Sequence, residues 1–140
     1  MGDYRQLSVW KRSHTLALSV FRLTGTFPAS ERYGLAAQLR RAATSIVSNI
    51  AEGSGRHSVR DEIRFFRIAR GSLCELECQL LLCRDIGFLE RELWSPLDNE
   101  CHEIGRMMNG LIRSCSSKHP NFRSPGPSPD GHSRQKTSGD

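Results

Sequence analysis

The chain has 140 residues, of which 37% are hydrophobic and 25% are charged, and its formal net charge is +5. This length is typical of one small domain and is too short for two lobes around a large active-site cleft, which excludes a multidomain enzyme. The sequence contains neither an apolar run of about 20 residues that could span a bilayer nor an apolar leader. We therefore expect a cytoplasmic protein with no membrane partner.

The first half of the chain predicts two helices separated by a proline. Apolar side chains recur at helical spacing from about Leu7 to Thr26, and Pro28 ends this first helix. The second helix is predicted to begin near Ser30, which is a suitable N-cap, and to end at Gly53. Its many small residues would allow a close neighbour.

The second half predicts two longer helices. Ser58, with an acidic residue three positions later, approximates a capping box, and Gly87 is a typical left-handed C-terminal stop. The fourth helix is predicted from about Glu90 to Ser117, with apolar residues at alternating steps of four and three. No strand pattern competes with these helices. The sequence therefore predicts an all-α, up-and-down four-helix bundle over residues 1–117.

The composition changes after this bundle. Residues 118–140 contain four of the six prolines and almost no aliphatic side chains, so we expect a disordered basic tail.

The five cysteines are an odd number and fall mostly at apolar helix positions, which favours free thiols over disulfides and gives little support to a zinc site. We therefore expect no metal and no other cofactor.

The third predicted helix has an unusually wide apolar arc. Two interpretations are open: a central helix that touches two neighbours within one chain, or a helix with one stripe in the bundle core and the other against a second subunit. The first apolar stripe consists of Val59, Ile63, Phe66, Ala69, Leu73, Leu76, Leu80 and Cys83. The second apolar stripe consists of Phe65, Ile68, Ser72, Leu82 and Ile86.

Opposite this arc lies a set of basic residues that we call the arginine row: Arg56, Arg60, Arg64 and Arg67. The last three fall within about 60° of one another on the helical wheel. They follow a helix N-terminus, whose free N–H groups attract anions, so they are suited to contact successive phosphates. The face lacks base-stacking aromatic residues, which favours backbone contact without sequence preference. The alternative is a solvated face on which these arginines pair with neighbouring acidic residues.

Several polar side chains fall near the apolar edges of the second and third helices. Asn49, Glu52 and Glu62 need partners there, because a buried polar group without a hydrogen bond is costly. We expect Glu52 or Glu62 to pair across the helix interface with Arg40 or Arg41. A catalytic carboxylate pair would need a cleft and a second activated group, which the sequence does not indicate, so we expect no enzymatic activity.

Two segments of the chain resemble a known family. Residues 33–56 read YGLAAQLRRAATSIVSNIAEGSGR, and residues 62–77 read EIRFFRIARGSLCELE. They resemble a bacterial four-helix-bundle family that includes proteins encoded in intervening sequences of large-subunit ribosomal RNA genes and the accessory variability protein of diversity-generating retroelements. The opening LSVW at residues 7–10 and the Phe27–Pro28 break also match this family, so the resemblance covers about residues 4–117.

The resemblance implies a bundle that assembles into a ring-like homopentamer with a basic surface and without enzymatic activity. For the retroelement member it implies binding of nucleic acid and of a reverse transcriptase. It also implies structural or interface roles for the polar groups and glycines at the matching positions. These are Gln38, Arg40, Arg41, Asn49, Glu52, Gly53, Arg56, Glu62, Gly71, Ser72, Glu75 and Glu77.

Together these observations predict a non-catalytic, oligomeric accessory protein that binds the backbone of DNA or RNA through the arginine row. A reverse transcriptase is a candidate partner. The alternative is a protein-binding adaptor or scaffold bundle without nucleic-acid contact. In that case the basic half of the bundle, residues 1–70, would meet the acidic half, residues 71–117, of a neighbour.

Overall fold

Four α-helices make up most of residues 2–119, which are the residues that the computed structural model describes. Short 3₁₀ turns at Tyr4–Gln6 and Ala29–Glu31 precede α1 and α2. No strand occurs within the described residues, so the predicted all-α fold is confirmed. All but the first two residues of the predicted tail, 118–140, lie outside the described residues. The helices are α1 (Ser8–Thr24), α2 (Leu35–Ser54), α3 (Val59–Ile86) and α4 (Arg91–Ser117).

Both ends of α3 form as their local signals predict. The Ser58 hydroxyl accepts a hydrogen bond from the backbone N–H of Asp61 at 3.4 Å, which satisfies one of the free donors of the first turn. At the other end Gly87 adopts a left-handed conformation with φ of +99°. Its N–H donates to carbonyl groups of the last turn, as in other glycine-terminated helices.

The start of α2 differs from the prediction. Ser30 lies inside the 3₁₀ turn and is not an N-cap, and α2 begins after Gly34, which supplies no capping side chain. The Glu31 carboxylate reaches the helix start instead, because its Oε2 accepts from the N–H of Leu35 at 3.5 Å. A carboxylate is favourable there since it faces the positive end of the helix dipole. The 3₁₀ turn therefore shortens α2 by about one turn relative to the prediction.

The core forms where one face of each helix meets the others. On α3 the first apolar stripe is buried from Ile63 to Cys83, between α2 and α4. Each fully buried leucine or isoleucine there contributes roughly 1.5–3 kcal/mol relative to an exposed one. The largest fully buried side chains are Phe66, Leu39, Ile46, Ile50, Ile63, Leu73, Leu76, Leu80, Ile104 and Met108.

Residues of the second apolar stripe differ in their surroundings: one is buried in a polar contact, and others are exposed. Ser72 is buried and shares a hydrogen bond of 2.7 Å with the hydroxyl of Ser45 on α2. Ile68, Leu82 and Ile86 remain between 42% and 51% exposed in the single chain. The helix therefore touches two neighbours, as one interpretation predicts, and within residues 2–119 these three apolar side chains stay about half exposed.

An ion pair joins the first and last helices. The guanidinium of Arg12 on α1 donates two hydrogen bonds, of 2.8 and 2.7 Å, to the carboxylate of Glu100 on α4. These bonds hold the pKa of Glu100 below its usual value. The bidentate geometry fixes how α1 lies against α4, which closes the bundle.

Candidate nucleic-acid interface

The arginine row lies at the N-terminal end of α3 and in the connection that precedes it. Arg60, Arg64 and Arg67 are all exposed, as the helical wheel predicts, and Arg56 is half-buried beside them. Because α3 packs against α2 and α4 through its other faces, this side of the helix points away from the bundle core. A ligand could therefore reach these guanidinium groups without rearrangement of the core.

Two arginines of the row have acidic neighbours. Arg56 is hydrogen-bonded to Glu52 one turn earlier, and the Nε of Arg64 lies 3.7 Å from Oδ1 of Asp61. The predicted solvated pairing is therefore present at these two positions. Such exposed pairs contribute only about 0.2–1 kcal/mol and compete weakly with a phosphate. Among the described residues, Arg60 and Arg67 have no acidic partner within 4.0 Å.

The aromatic ring of Phe65, which the sequence pattern places in the apolar arc, lies beside this row. The Cζ atoms of Arg56 and Arg64 lie 4.6 and 4.5 Å from the ring centroid of Phe65. The expectation that this face lacks a stacking aromatic is therefore wrong. The helical wheel places Phe65 at the edge of the arc, and only the turn before α3 brings Arg56 over its ring. The sequence feature that points to this contact is that Phe65 directly follows Arg64.

The predicted pairing of Arg40 with Glu52 or Glu62 is also wrong. Arg40 instead contacts the C-terminal end of α1: its Nε donates to Oγ1 of Thr24 at 2.8 Å, and its Nη2 donates to the carbonyl of Phe21 at 3.2 Å. Twelve helical residues, or about 18 Å, separate Arg40 from Glu52. Glu62 lies near that far end as well, because α2 and α3 run antiparallel.

The remaining predicted polar residues find local partners or face solvent. Asn49 donates to the carbonyl and the hydroxyl of Ser45, at 2.8 and 3.1 Å, within α2. Arg41 is exposed and forms no ion pair with any residue in the described range 2–119. Arg41 therefore does not provide the expected ion pair with Glu52 or Glu62.

Glu62 pairs with a cysteine rather than with an arginine. The Sγ of Cys115 donates to Oε1 of Glu62 at 3.1 Å. Burial, together with this carboxylate, raises the pKa of Cys115 to about 12. The pair lines a cavity of about 420 Å³ at the end of the bundle, beside Arg56 and Lys118. A thiol with so high a pKa stays protonated and is a poor nucleophile.

The other cysteines do not form a metal site within residues 2–119. Cys74 and Cys78 are exposed on α3, whereas Cys83 and Cys101 are buried. Nowhere in this part of the chain do three or more His, Cys, Asp or Glu side chains come together as metal ligands would. The described helices also include none with the length and apolar character needed to cross a membrane.

Comparisons with known proteins place this bundle in a family. The family described as "23S rRNA-intervening sequence protein" matches residues 5–110. The chain belongs to this family. The match contains α1–α3, most of α4 and the whole arginine row, and it confirms the family that the sequence resembles.

A solved structure has the same fold as this member of the 23S rRNA-intervening sequence protein family. It is a protein with unknown function from the S23 ribosomal protein family of Bacteroides thetaiotaomicron, with a TM-score of 0.70 and 26% sequence identity. The alignment covers 75% of this chain and 98% of that chain. A comparison with curated proteins found no match. Neither the family description nor that of the solved structure indicates a catalytic activity.

Proposed function

We propose that this member of the 23S rRNA-intervening sequence protein family is a non-catalytic, oligomeric protein that binds the phosphate backbone of a nucleic acid through the arginine row. The observation that carries the proposal is the position of Arg60 and Arg67. Both are exposed on one face of α3, and no acidic side chain among residues 2–119 pairs with them. Seven helical residues place them about 10.5 Å apart along the axis. That distance is about three times the axial rise of about 3.4 Å per phosphate of one duplex strand, so the two guanidinium groups can contact different phosphates.

The affinity of such a site comes from the release of counterions. Each phosphate that an arginine neutralises releases condensed cations, so log Kobs falls with log salt at a slope of about 0.9 per contact with duplex DNA. Arg60 and Arg67 contribute fully to this slope, whereas Arg56 and Arg64 first exchange an acidic neighbour for a phosphate. The family description links its members to 23S rRNA, which makes ribosomal RNA the first nucleic acid to test.

Oligomerisation is the second part of the proposal. Ile68, Leu82 and Ile86 form an apolar surface on α3 that the other described helices leave about half exposed. A second copy packed there would remove this surface from water, at about 25 cal/mol for each Å² buried. The family resemblance suggests a ring of five subunits. In such an assembly several arginine rows would bind one nucleic acid. A reverse transcriptase is a further candidate partner, which co-purification would test.

The test compares two triple variants by fluorescence anisotropy. Arg60, Arg64 and Arg67 are changed together to Glu in the first variant. Arg22, Arg32 and Arg91, which are exposed at the other end of the bundle, are changed to Glu in the control. Both variants undergo the same change in net charge, and circular dichroism checks that both remain helical.

We expect the first variant to lose binding of a 23S rRNA fragment and of duplex DNA, and the control to retain it with an unchanged salt slope. Equal binding by both variants would eliminate the role of the arginine row. Absence of binding by the unmodified protein at low salt would favour the adaptor function instead, in which the basic half of the bundle meets an acidic protein surface.

A further inference from the structure

The ring of Phe65 contacts two guanidinium groups. The Cζ atoms of Arg56 and Arg64 lie at nearly equal distances from its ring centroid, 4.6 and 4.5 Å. Each arginine also has an acidic neighbour, Glu52 for Arg56 and Asp61 for Arg64. Two contacts favour one orientation of each guanidinium before any ligand binds, which lowers the entropy that binding costs.

The outer side of this cluster is open to solvent. The Arg64 side chain is 59% exposed, so part of its planar guanidinium stays accessible beyond the contact with the Phe65 ring. Nucleobases stack on aromatic rings and on arginine planes. In a duplex each base already stacks on its neighbours, so an unpaired base gains much more from this surface than a paired one does.

Phosphate ligands are available on both sides of the same surface. Arg60 precedes Arg64 by one helical turn and Arg67 follows it by nearly one turn, on the same exposed face. A single strand whose phosphates contact Arg60 and Arg67 therefore passes beside Arg64. A base between these two contacts could reach the exposed side of the Arg64 guanidinium, which lies against Phe65.

We propose that Arg56, Phe65 and Arg64 form a stacking site for an unpaired base, so that the protein prefers single-stranded nucleic acid over duplex. This inference rests on the proposed function, because the phosphate contacts bring the strand to the site. It adds a ligand class that backbone charge alone does not select. It also assigns Arg64 a role that a lysine, which has the same charge, cannot fill.

The test uses variants that keep the charge or the apolar volume. Arg64→Lys removes the planar group, and Arg60→Lys is its matched control outside the stack. Phe65→Leu removes the ring, and its control is Phe21→Leu at the other end of the bundle, where Arg40 lies 4.9 Å from the ring centroid. Thermal melting followed by circular dichroism establishes that each variant is folded.

Binding is measured by anisotropy with a short single-stranded RNA and with a duplex of the same sequence. A 2-aminopurine base in the single strand reports, through a change in its fluorescence on binding, that the base leaves the stack of its neighbours. For Arg64→Lys and Phe65→Leu we expect a loss of about 5- to 100-fold in single-strand affinity, together with loss of this fluorescence change, and no change in duplex affinity. The two control variants should behave like the unmodified protein.

Two outcomes would overturn the inference, and they are distinguishable. If the unmodified protein binds both nucleic acids equally, or Arg64→Lys leaves the preference intact, the stacking site is rejected and the phosphate-binding function stands. If the unmodified protein binds neither nucleic acid at low salt, the proposed function is rejected, and the stacking site is rejected with it.

Discussion

The ring of Phe66 packs so closely on Gly53 that a Cβ atom at position 53 would lie 2.7 Å from its Cε1 atom. The same Cβ would lie 3.2 Å from the carbonyl oxygen of Glu62. Phe66 is among the largest fully buried side chains, so its ring has little space in which to move. The absence of a side chain at Gly53 thus sets how near α2 and α3 approach at the end that carries the arginine row.

We expect Gly53→Ala to destabilise the bundle by about 1–3 kcal/mol, because the added methyl group overpacks the contact with Phe66. Chemical denaturation of the purified protein measures this change. The control is Gly110→Ala in α4, where the nearest atom to an added Cβ is the end of the Arg113 side chain at 3.9 Å. There the helix should gain about 0.5–1 kcal/mol. A gain at position 53 would show that the two helices are not in such close contact.

The two serines considered as helix caps give a second prediction. Ser58→Ala should lower the free energy of unfolding by about 0.5–1 kcal/mol, because the N–H of Asp61 loses its acceptor. Ser30→Ala should change it by less than about 0.5 kcal/mol, since Ser30 is exposed and caps no helix. Thermal melts of the two variants under the same conditions measure both changes in stability. Equal losses would mean that Ser30 caps α2 after all.

A third prediction concerns pH. The pKa of Glu100 is lowered in the folded protein by its hydrogen bonds with Arg12. The ion pair therefore stabilises the fold above the ordinary glutamate pKa of 4.5, and this stabilisation is lost as the pH falls through the lowered value. We expect Arg12→Gln to lower the free energy of unfolding at neutral pH and to leave it almost unchanged near pH ~2.

The control for this pair is Arg22→Gln, because Arg22 is exposed on the same helix and makes no ion pair within the described residues. Denaturant titrations across the acid range give the free energy of unfolding of each variant. A cost of Arg12→Gln that stays constant down to the lowest pH would contradict the assigned role of Glu100.

The fourth prediction tests the apolar surface of α3. Leu82→Glu would place a charge where the proposed second copy packs, so we expect the assembly to dissociate to monomers. Light scattering after size-exclusion chromatography reports the mass. Leu18→Glu on α1 is the control, because Leu18 is exposed to a similar degree but lies outside the proposed interface. A monomeric mass for the unmodified protein would remove the interface altogether.

The helices were largely predictable from sequence because their signals are local. The spacing of apolar residues determines which side of α3 is buried, and Ser58 and Gly87 determine where that helix begins and ends. The start of α2 was not predictable in this way, because it depends on a 3₁₀ turn and on the carboxylate of Glu31. Propensity alone assigns the cap to the nearest serine.

The candidate site was predictable only in part, for a similar reason. A helical wheel places Arg60, Arg64 and Arg67 on one exposed face, since all three belong to one regular helix. The contacts of Arg56 with Phe65 and of Arg40 with Thr24 depend on connections and on the packing of neighbouring helices. No periodic pattern encodes either contact, and the proposed stacking site depends on the first of them.

The connections between the helices also bear on how the chain folds. Only residues 55–58 separate α2 from α3, and only residues 87–90 separate α3 from α4. Most native contacts therefore join segments close in sequence, a topology that typically folds within microseconds to milliseconds. The exception is the docking of α1 on α4, which joins the two ends of the bundle. Amide hydrogens in α1 should therefore exchange with solvent sooner than those of the central α2–α3 hairpin.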